Sequence, residues 1–342
     1  MFFLENVLSS AYGLNDCAVV RVDRGTMNQC YRVESGRTIR FLKSYATRFY
    51  EPEQILRSCE VQLLVHRAGL PTPRIIPNYQ GNFITISDKG FYVLSEFAFG
   101  HEYARNKIPD QAAYHMGVML ARLQGLLKDP RDVTPIKLLD PYTASDRLQK
   151  LLMLAEVKED LGEVDAVACQ ILRYKIDALH RQAGLFAQLQ EVPAQRVHGD
   201  YQVSNLVFSA ENQVSAILDF DQLQRRPRGL EMMRALDFSF SHDQILEQPG
   251  PQTSDQPGLG FFRGYAEAAA WAEAPLTEEE VRLFASLWTY YWLVRPWPLD
   301  VRYERPEDYD VRWDSLIQPP SDWWEQNMDA VTEGFLRDFE RL

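Results

Sequence analysis

Val197-His198-Gly199-Asp200-Tyr201-Gln202-Val203-Ser204-Asn205, followed fourteen positions later by Asp219-Phe220-Asp221, is the stretch on which the reading of this chain turns. Asp200 and Asn205 let one short loop offer a carboxylate that orients an attacking hydroxyl and an amide oxygen that holds magnesium, as phosphoryl transfer requires. Between the two motifs, Leu206-Val207-Phe208 and Val214-Ser215-Ala216-Ile217-Leu218 are apolar β-formers flanking the polar turn Ser209-Ala210-Glu211-Asn212-Gln213, which predicts a β-hairpin. A hairpin returns Asp219 to the neighbourhood of Asn205, so two metal ligands distant in sequence become neighbours against the phosphates of ATP. Taken singly, Asp200 and Asn205 read as turn-shaping residues and Asp219 as a carboxylate closing a strand. The joint pattern favours the metal site. His198 is expected to tie the loop backbone together and Gly199 to permit close backbone approach.

The segment from His198 to Asp221 resembles the catalytic and metal-binding motifs of the aminoglycoside phosphotransferase and choline kinase superfamily, and similarity extends from about Asp23 to Glu231 and more weakly beyond. The resemblance implies an α+β, bilobal protein-kinase-like fold, with an N-terminal antiparallel sheet plus helix and a larger, mostly helical C-lobe. It places the lobes at residues 1–97 and 98–342. It also implies that Asp200 acts on the acceptor hydroxyl and that Asn205 and Asp219 bind Mg2+.

Upstream, Arg21 to Val33 reads as strand, polar turn and strand lying over phosphates, an ordinary hairpin being the alternative. Relatives commonly carry Gly and Asn at the places of Gly25 and Asn28, which by resemblance gives these two a nucleotide-binding role. The next strand, Arg37 to Tyr45, places Lys43 on one face with Ile39 and Phe41, where an ammonium needs an anionic partner. A helix from Glu53 to Ala68, stopped by Gly69-Leu70-Pro71, offers Glu60. Its helical neighbours Leu56, Leu63 and Leu64 suggest that Glu60 lies on the buried side. A Lys43–Glu60 ion pair that holds the lysine against the α- and β-phosphates is therefore expected. The alternative leaves Lys43 solvated and Glu60 paired with Arg57, and Arg40 is a second candidate for the cation. Asn82 to Ser87 and Phe91 to Phe97 form a further hairpin. By resemblance the hinge follows at Ser95 to Gly100, with the peptide groups of Glu96 and Phe97 at the adenine edge.

Beyond Pro109 the period becomes helical, with helices predicted over 111–127, 146–159 and 164–189. Gln224 to Glu231, short and basic, stands where a protein kinase has its activation segment; its arginines read either as phosphate or substrate contacts or as surface charge. Glu231 is an acid near a helix N-terminus, a stabilising position. Thr277-Glu278-Glu279-Glu280 is a capping box, with Leu276 and Val281 as its hydrophobic staple. The aromatic residues Trp288, Tyr290, Tyr291, Trp292, Trp297, Trp313, Trp323 and Trp324 read as core, or as faces that with nearby acids would hold an ammonium ligand.

A formal net charge of -12 argues against nucleic acid, whose phosphates are held by clustered Lys and Arg, and is compatible with a cationic acceptor. The four cysteines have neither metal-type pairing nor disulfide-framework spacing, which suits a reducing cytoplasm. Glu5 interrupts the apolar start, so no signal peptide is expected, and no apolar run reaches membrane-spanning length. These features converge on an ATP-dependent phosphotransferase acting on an aminoglycoside-, homoserine- or choline-like alcohol. A protein serine/threonine kinase of the same fold and a catalytically silent nucleotide-binding module are the alternatives.

Overall fold

Runs rich in β-branched and aromatic residues form three strands, β1 (Ala18–Val22), β2 (Gln29–Ser35) and β3 (Thr38–Tyr45). With β4 (Ile75–Ile76), β5 (Thr85–Ser87) and β6 (Gly90–Glu96) they make an antiparallel sheet in the order β1-β2-β3-β6-β4, β5 pairing with β6. The computed structural model describes residues 2–22, 28–47, 49–129, 138–157, 162–190, 192–246, 256–272 and 274–341.

Successive strand residues point to opposite faces, and each face of this sheet has its own cover. On one, Leu42, Leu94, Tyr92 and Val33 pack against Leu4, Val7 and Leu8 of helix α1 (Phe2–Tyr12). On the other, Tyr45 and Val93 pack against Ile55 and Cys59 of helix α2 (Pro52–Arg67). Lys43, one residue on from Leu42, therefore looks toward α2.

Helix α2 turns Ile55, Ser58, Cys59, Val61 and Val65 inward, whereas Glu60 is exposed together with Leu56 and Leu64. The expected Lys43–Glu60 pair does not form. The leucines around Glu60 do not mark the buried side; the helix is wedged between the sheet and the helical lobe, and the residues that fill that wedge are the β-branched and small ones.

The rest of the chain is mostly helical. Helices α3 (Asp110–Leu127), α4 (Pro141–Glu156), α5 (Glu163–Arg181) and α6 (Ala183–Leu189) come first. The single helix expected over 164–189 breaks at Gln182, which caps α5 and precedes α6. Next come β7 (Gln195–Val197), β8 (Leu206–Phe208), β9 (Val214–Ile217) and β10 (Gln224–Arg226), then α7 (Arg228–Ser239), α8 (His242–Ile245), α9 (Pro257–Trp271), α10 (Glu278–Val294), α11 (Leu299–Glu304) and α12 (Trp323–Phe339). Thr277 caps α10 as its sequence demands, its hydroxyl accepting from Glu280 N (3.1 Å), with Leu276 and Val281 buried beside it.

The β8–β9 ribbon pairs Leu206 with Ile217 and is fastened to the sheet side of the molecule at two points. Thr72 donates to the Ile217 carbonyl (2.9 Å), and His101 and Phe208 exchange both backbone bonds (2.9 and 2.8 Å). Among the described residues no helix is long and apolar enough to cross a membrane.

Candidate active site

Strand β7 feeds into His198-Gly199-Asp200. His198 is fully buried; its Nε2 donates to the Leu218 carbonyl (3.0 Å) while Nδ1 accepts from the Asp200 amide (3.3 Å). The imidazole thus staples the catalytic loop to the strand that ends at Asp219. Gly199 has φ +84°, and a Cβ on it would sit 1.9 Å from the Gln222 carbonyl oxygen, so only glycine lets the two loops press this close. Its amide donates to Glu231 (2.5 Å), whose other oxygen accepts from Gln124 (3.0 Å). Glu231 therefore does more than favour a helix terminus: it holds the loop directly.

Both oxygens of Asp200 are engaged. Oδ1 accepts from Arg234 Nη2 (2.6 Å) and Gln202 Nε2 (3.0 Å), and Oδ2 from Asn205 Nδ2 (2.8 Å), which also donates to the Asp200 carbonyl (2.8 Å). With its nitrogen committed to Asp200, Asn205 has Oδ1 as the atom it can give to a cation. The hairpin returns as expected, Leu218 N donating to Asn205 O (2.9 Å). Asp219 then adopts a left-handed backbone, φ +62°, before the 3-10 turn Phe220–Gln222.

Arg234 carries no signal in sequence beyond its place three residues after Glu231 on α7, the face that meets the catalytic loop. Asp221, the second acid of the Asp-Phe-Asp motif, has no role assigned by the sequence and proves central. Lys43 Nζ lies 2.6 Å from Asp221 Oδ2 and 2.9 Å from Asp219 Oδ1. Asp221 also accepts from the Tyr45 hydroxyl (3.0 Å) and from Asn28 Nδ2 (2.9 Å), which reaches Tyr50 as well (3.2 Å). Burial works against the charge on Lys43, but Asp219 and Asp221 outweigh it and hold its pKa well above the usual lysine range. Burial pushes Asp219 up, and Lys43 more than reverses this, leaving it low; burial and the neighbouring Asp219 leave Asp221 raised despite Lys43. The pair of acids around one ammonium is thus asymmetric: Asp219, 39% exposed, is the open member and Asp221, 7% exposed, the enclosed one.

The remaining predicted residues divide. Asn28 is in the cluster, and its Oδ1 is buried with no hydrogen-bond partner among the described residues. Gly25 lies outside the described residues. Glu60 is exposed on α2, and the inward neighbour Cys59 takes its place near Lys43, where burial, with Asp221, pushes its thiol up to about 12. Glu96 ends β6, its amide donating to Arg74 O (3.0 Å), its side chain on Arg74 (2.8 Å) and its carbonyl accepting from the Ser95 hydroxyl (3.1 Å), which leaves that carbonyl one further lone pair for a ligand. Phe97 follows it, the ring 5.1 Å from that of Phe99.

Among the described residues no group of three His, Cys, Asp or Glu is set to hold a metal alone. Asn205 Oδ1 and the exposed Asp219 carboxylate are hard oxygen donors of the kind magnesium takes when substrate phosphates and water complete its shell, so the donor set fits that ion.

A two-lobed protein-kinase-like fold with this loop constellation defines the class, a phosphoryl-transfer enzyme. The chain belongs to the phosphotransferase enzyme family, whose model matches residues 18–276. It is an ATP-dependent phosphotransferase. A search of curated proteins finds no significant match. Among solved structures it is similar to the spectinomycin phosphotransferase APH(9)-Ia in complex with ADP and spectinomycin (14% identity, 100% of this chain, 98% of that one, TM-score 0.62). It is also similar to the amicoumacin kinase hAmiN in complex with AMP-PNP and Ca2+ (13%, 98% and 93%, 0.58). A microcompartment-associated aminopropanol kinase is a third (15%, 99% and 96%, 0.58).

Proposed function

We propose that the protein transfers the γ-phosphoryl group of ATP to a hydroxyl of a small-molecule acceptor, the nucleotide lying between residues 1–97 and 98–342. Asp200 orients the acceptor hydroxyl and takes its proton on a carboxylate already fixed in direction by Arg234 and Gln202 on one oxygen and Asn205 on the other. Asn205 and Asp219 hold Mg2+, which when bound neutralises charge on the β- and γ-phosphates. Lys43 positions phosphates, Gly25 and Asn28 lie over them, and the Glu96 and Phe97 peptide groups meet the adenine. Catalysis in such a site is placement and charge stabilisation.

The single observation that carries this reading is the approach of Lys43 to Asp219 at 2.9 Å, since it joins the sheet and the metal loop at one point. The relatives solved with ADP or AMP-PNP support the nucleotide, and the aminopropanol and antibiotic kinases support a small alcohol. The segment after Asp221 runs through the three-residue β10 straight into α7, which offers no peptide-binding activation segment and weighs against a protein substrate. Incubation with labelled ATP, magnesium and a panel of small alcohols, beside a protein extract, tests the proposal. Label appearing only in protein would refute it.

A further inference from the structure

Three arginines lie along the α7 and α10 side of the molecule, one of them on Asp200, in a chain whose net charge is -12. Arg226, the last residue of β10, places its guanidinium 4.7 Å from the centre of the Tyr291 ring. Arg295, at the C-terminal cap of α10, stands 5.8 Å from the same ring, so the two guanidiniums lie within about 11 Å of each other when those distances are laid end to end. Arg234 is the third. Its guanidinium touches Asp200 and lies 4.5 Å over Phe238, which meets Trp288 (6.2 Å), which in turn stacks on Tyr291 (5.9 Å). One wall formed by α7 and α10 thus runs from Asp200 to Arg226 and Arg295.

Charge on this wall is not compensated from within. Arg234 answers Asp200, although its Nη1 is buried without a partner. Among the described residues neither Arg226 nor Arg295 has a carboxylate in ion-pair range; their contacts are with Tyr291 and Trp297. The nearby acid Glu231 is buried and already committed to Gly199 and Gln124. By contrast Arg228, on the same basic segment, is fully answered by Glu280 and by the Ala274 and Pro275 carbonyls. Burial lowers the pKa of Arg226; Tyr291 and Glu231 oppose the shift, and like charge from Arg295 and Arg234 adds to it. Desolvated guanidiniums gathered without a counter-ion are a site for an oxyanion, whose planar or tetrahedral oxygens match their fork of donors.

We propose that Arg226 and Arg295 bind a carboxylate or phosphate group on the acceptor alcohol, with Tyr291 between them, and so set which hydroxyl reaches Asp200. The proposal rests on the reading of Asp200 as the residue that faces the acceptor. It differs from the cationic acceptor with which the overall charge is compatible, because the charge that matters here is the local one.

The test uses the full chain loaded with AMP-PNP and magnesium, so that the phosphate sites of the nucleotide are already filled. Isothermal titration with inorganic phosphate and with glycerate, at constant ionic strength, is expected to show saturable binding of at least one of them. The stronger ligand distinguishes a phosphate from a carboxylate. Arg226→Gln and Arg295→Gln, on separate elements, should each weaken that binding at least tenfold while AMP-PNP affinity, the control for folding, stays within twofold. Absence of saturable oxyanion binding to the loaded parent protein, or equal binding by both variants, overturns the proposal. Failure of the parent to bind AMP-PNP at all would instead overturn the kinase reading beneath it.

Discussion

Asp221→Asn is the perturbation that most directly probes how this site holds its lysine. Lys43 has two carboxylates, but Asp219 is the more exposed one and, on the proposed function, the one that would hold the metal. If Asp219 holds magnesium as proposed, Asp221 would be the carboxylate left to aim Lys43 at the phosphates. Two unit charges about 4 Å apart attract by roughly 4 kcal/mol at an effective dielectric of about 20. Asparagine keeps a hydrogen bond and saves the cost of burying a charge, so about half of that, ~2 kcal/mol, is the expected loss, or about thirtyfold in KM for ATP. In the free protein the substitution also removes repulsion between Asp219 and Asp221, so the melting temperature should change little. Steady-state kinetics at saturating magnesium measure the effect. A double mutant with Lys43→Met then separates action through the lysine from action on the metal: if Asp221 works through Lys43, adding Asp221→Asn to Lys43→Met changes KM by less than threefold. A KM for ATP within threefold of the parent in Asp221→Asn, or effects that simply multiply in the double mutant, would refute the reasoning.

Asp200→Ala should lower transfer at least a thousandfold, of the order expected for loss of a positioned base and its orienting contacts, while calorimetry still detects ATP binding. Unchanged turnover would remove Asp200 from its role. Asp219→Ala should raise the magnesium concentration needed for half-maximal rate by tenfold or more; superimposable magnesium titrations would count against it. Gly199→Ala drives a methyl into the Gln222 carbonyl at 1.9 Å and should cost several kcal/mol or the alignment of both loops, read as a fall in melting temperature or in kcat. Lys175 is buried among carbonyls of Trp292 and Arg295 (2.7 Å each), and burial, with Arg295, pushes its pKa down to about 7. The unfolded lysine titrates near 10.4, so between pH 7 and that value the unfolded chain binds more protons and stability rises with pH. From pH 7 to 8.5 the rise should amount to about 2 kcal/mol in the parent relative to Lys175→Met, and parallel pH profiles of the two would contradict it.

The legible parts of this fold were those where one residue's chemistry and one local period sufficed. The hairpin from Leu206 to Ile217, the helix stop after α2 and the capping box at Thr277 all appear where their turn and cap residues put them. The return of Asp219 to the neighbourhood of Asn205 follows from that hairpin. Helix α1 was not read, because Phe3, Leu4, Val7 and Leu8 are too short an apolar stripe to declare a helix until the sheet face that they cover is known. Arg234 was not read, and Asp221 was read as part of the motif without a role, for a related reason: their meaning depends on partners 34 positions earlier, Asp200, and 178 positions earlier, Lys43.

The failure at Glu60 has a consequence for how the enzyme is controlled. In protein kinases a helix glutamate grips the lysine, and moving that helix switches the site on and off. Here α2 presents Cys59 on its inward side, and both carboxylates that grip Lys43 come from the loop Asp219-Phe220-Asp221. That loop is fixed from below by His198 on Leu218 and by the closeness of Gly199 to Gln222. It is fixed from above through Asn28 and Tyr45 on Asp221. Rotation of α2 would carry away no charge from the lysine, so a switch of the protein-kinase type has nothing to act on. The lysine instead follows the loop Asp219-Phe220-Asp221, and on the proposed function its orientation would depend on whether Asp219 is held by the ammonium or by the ion.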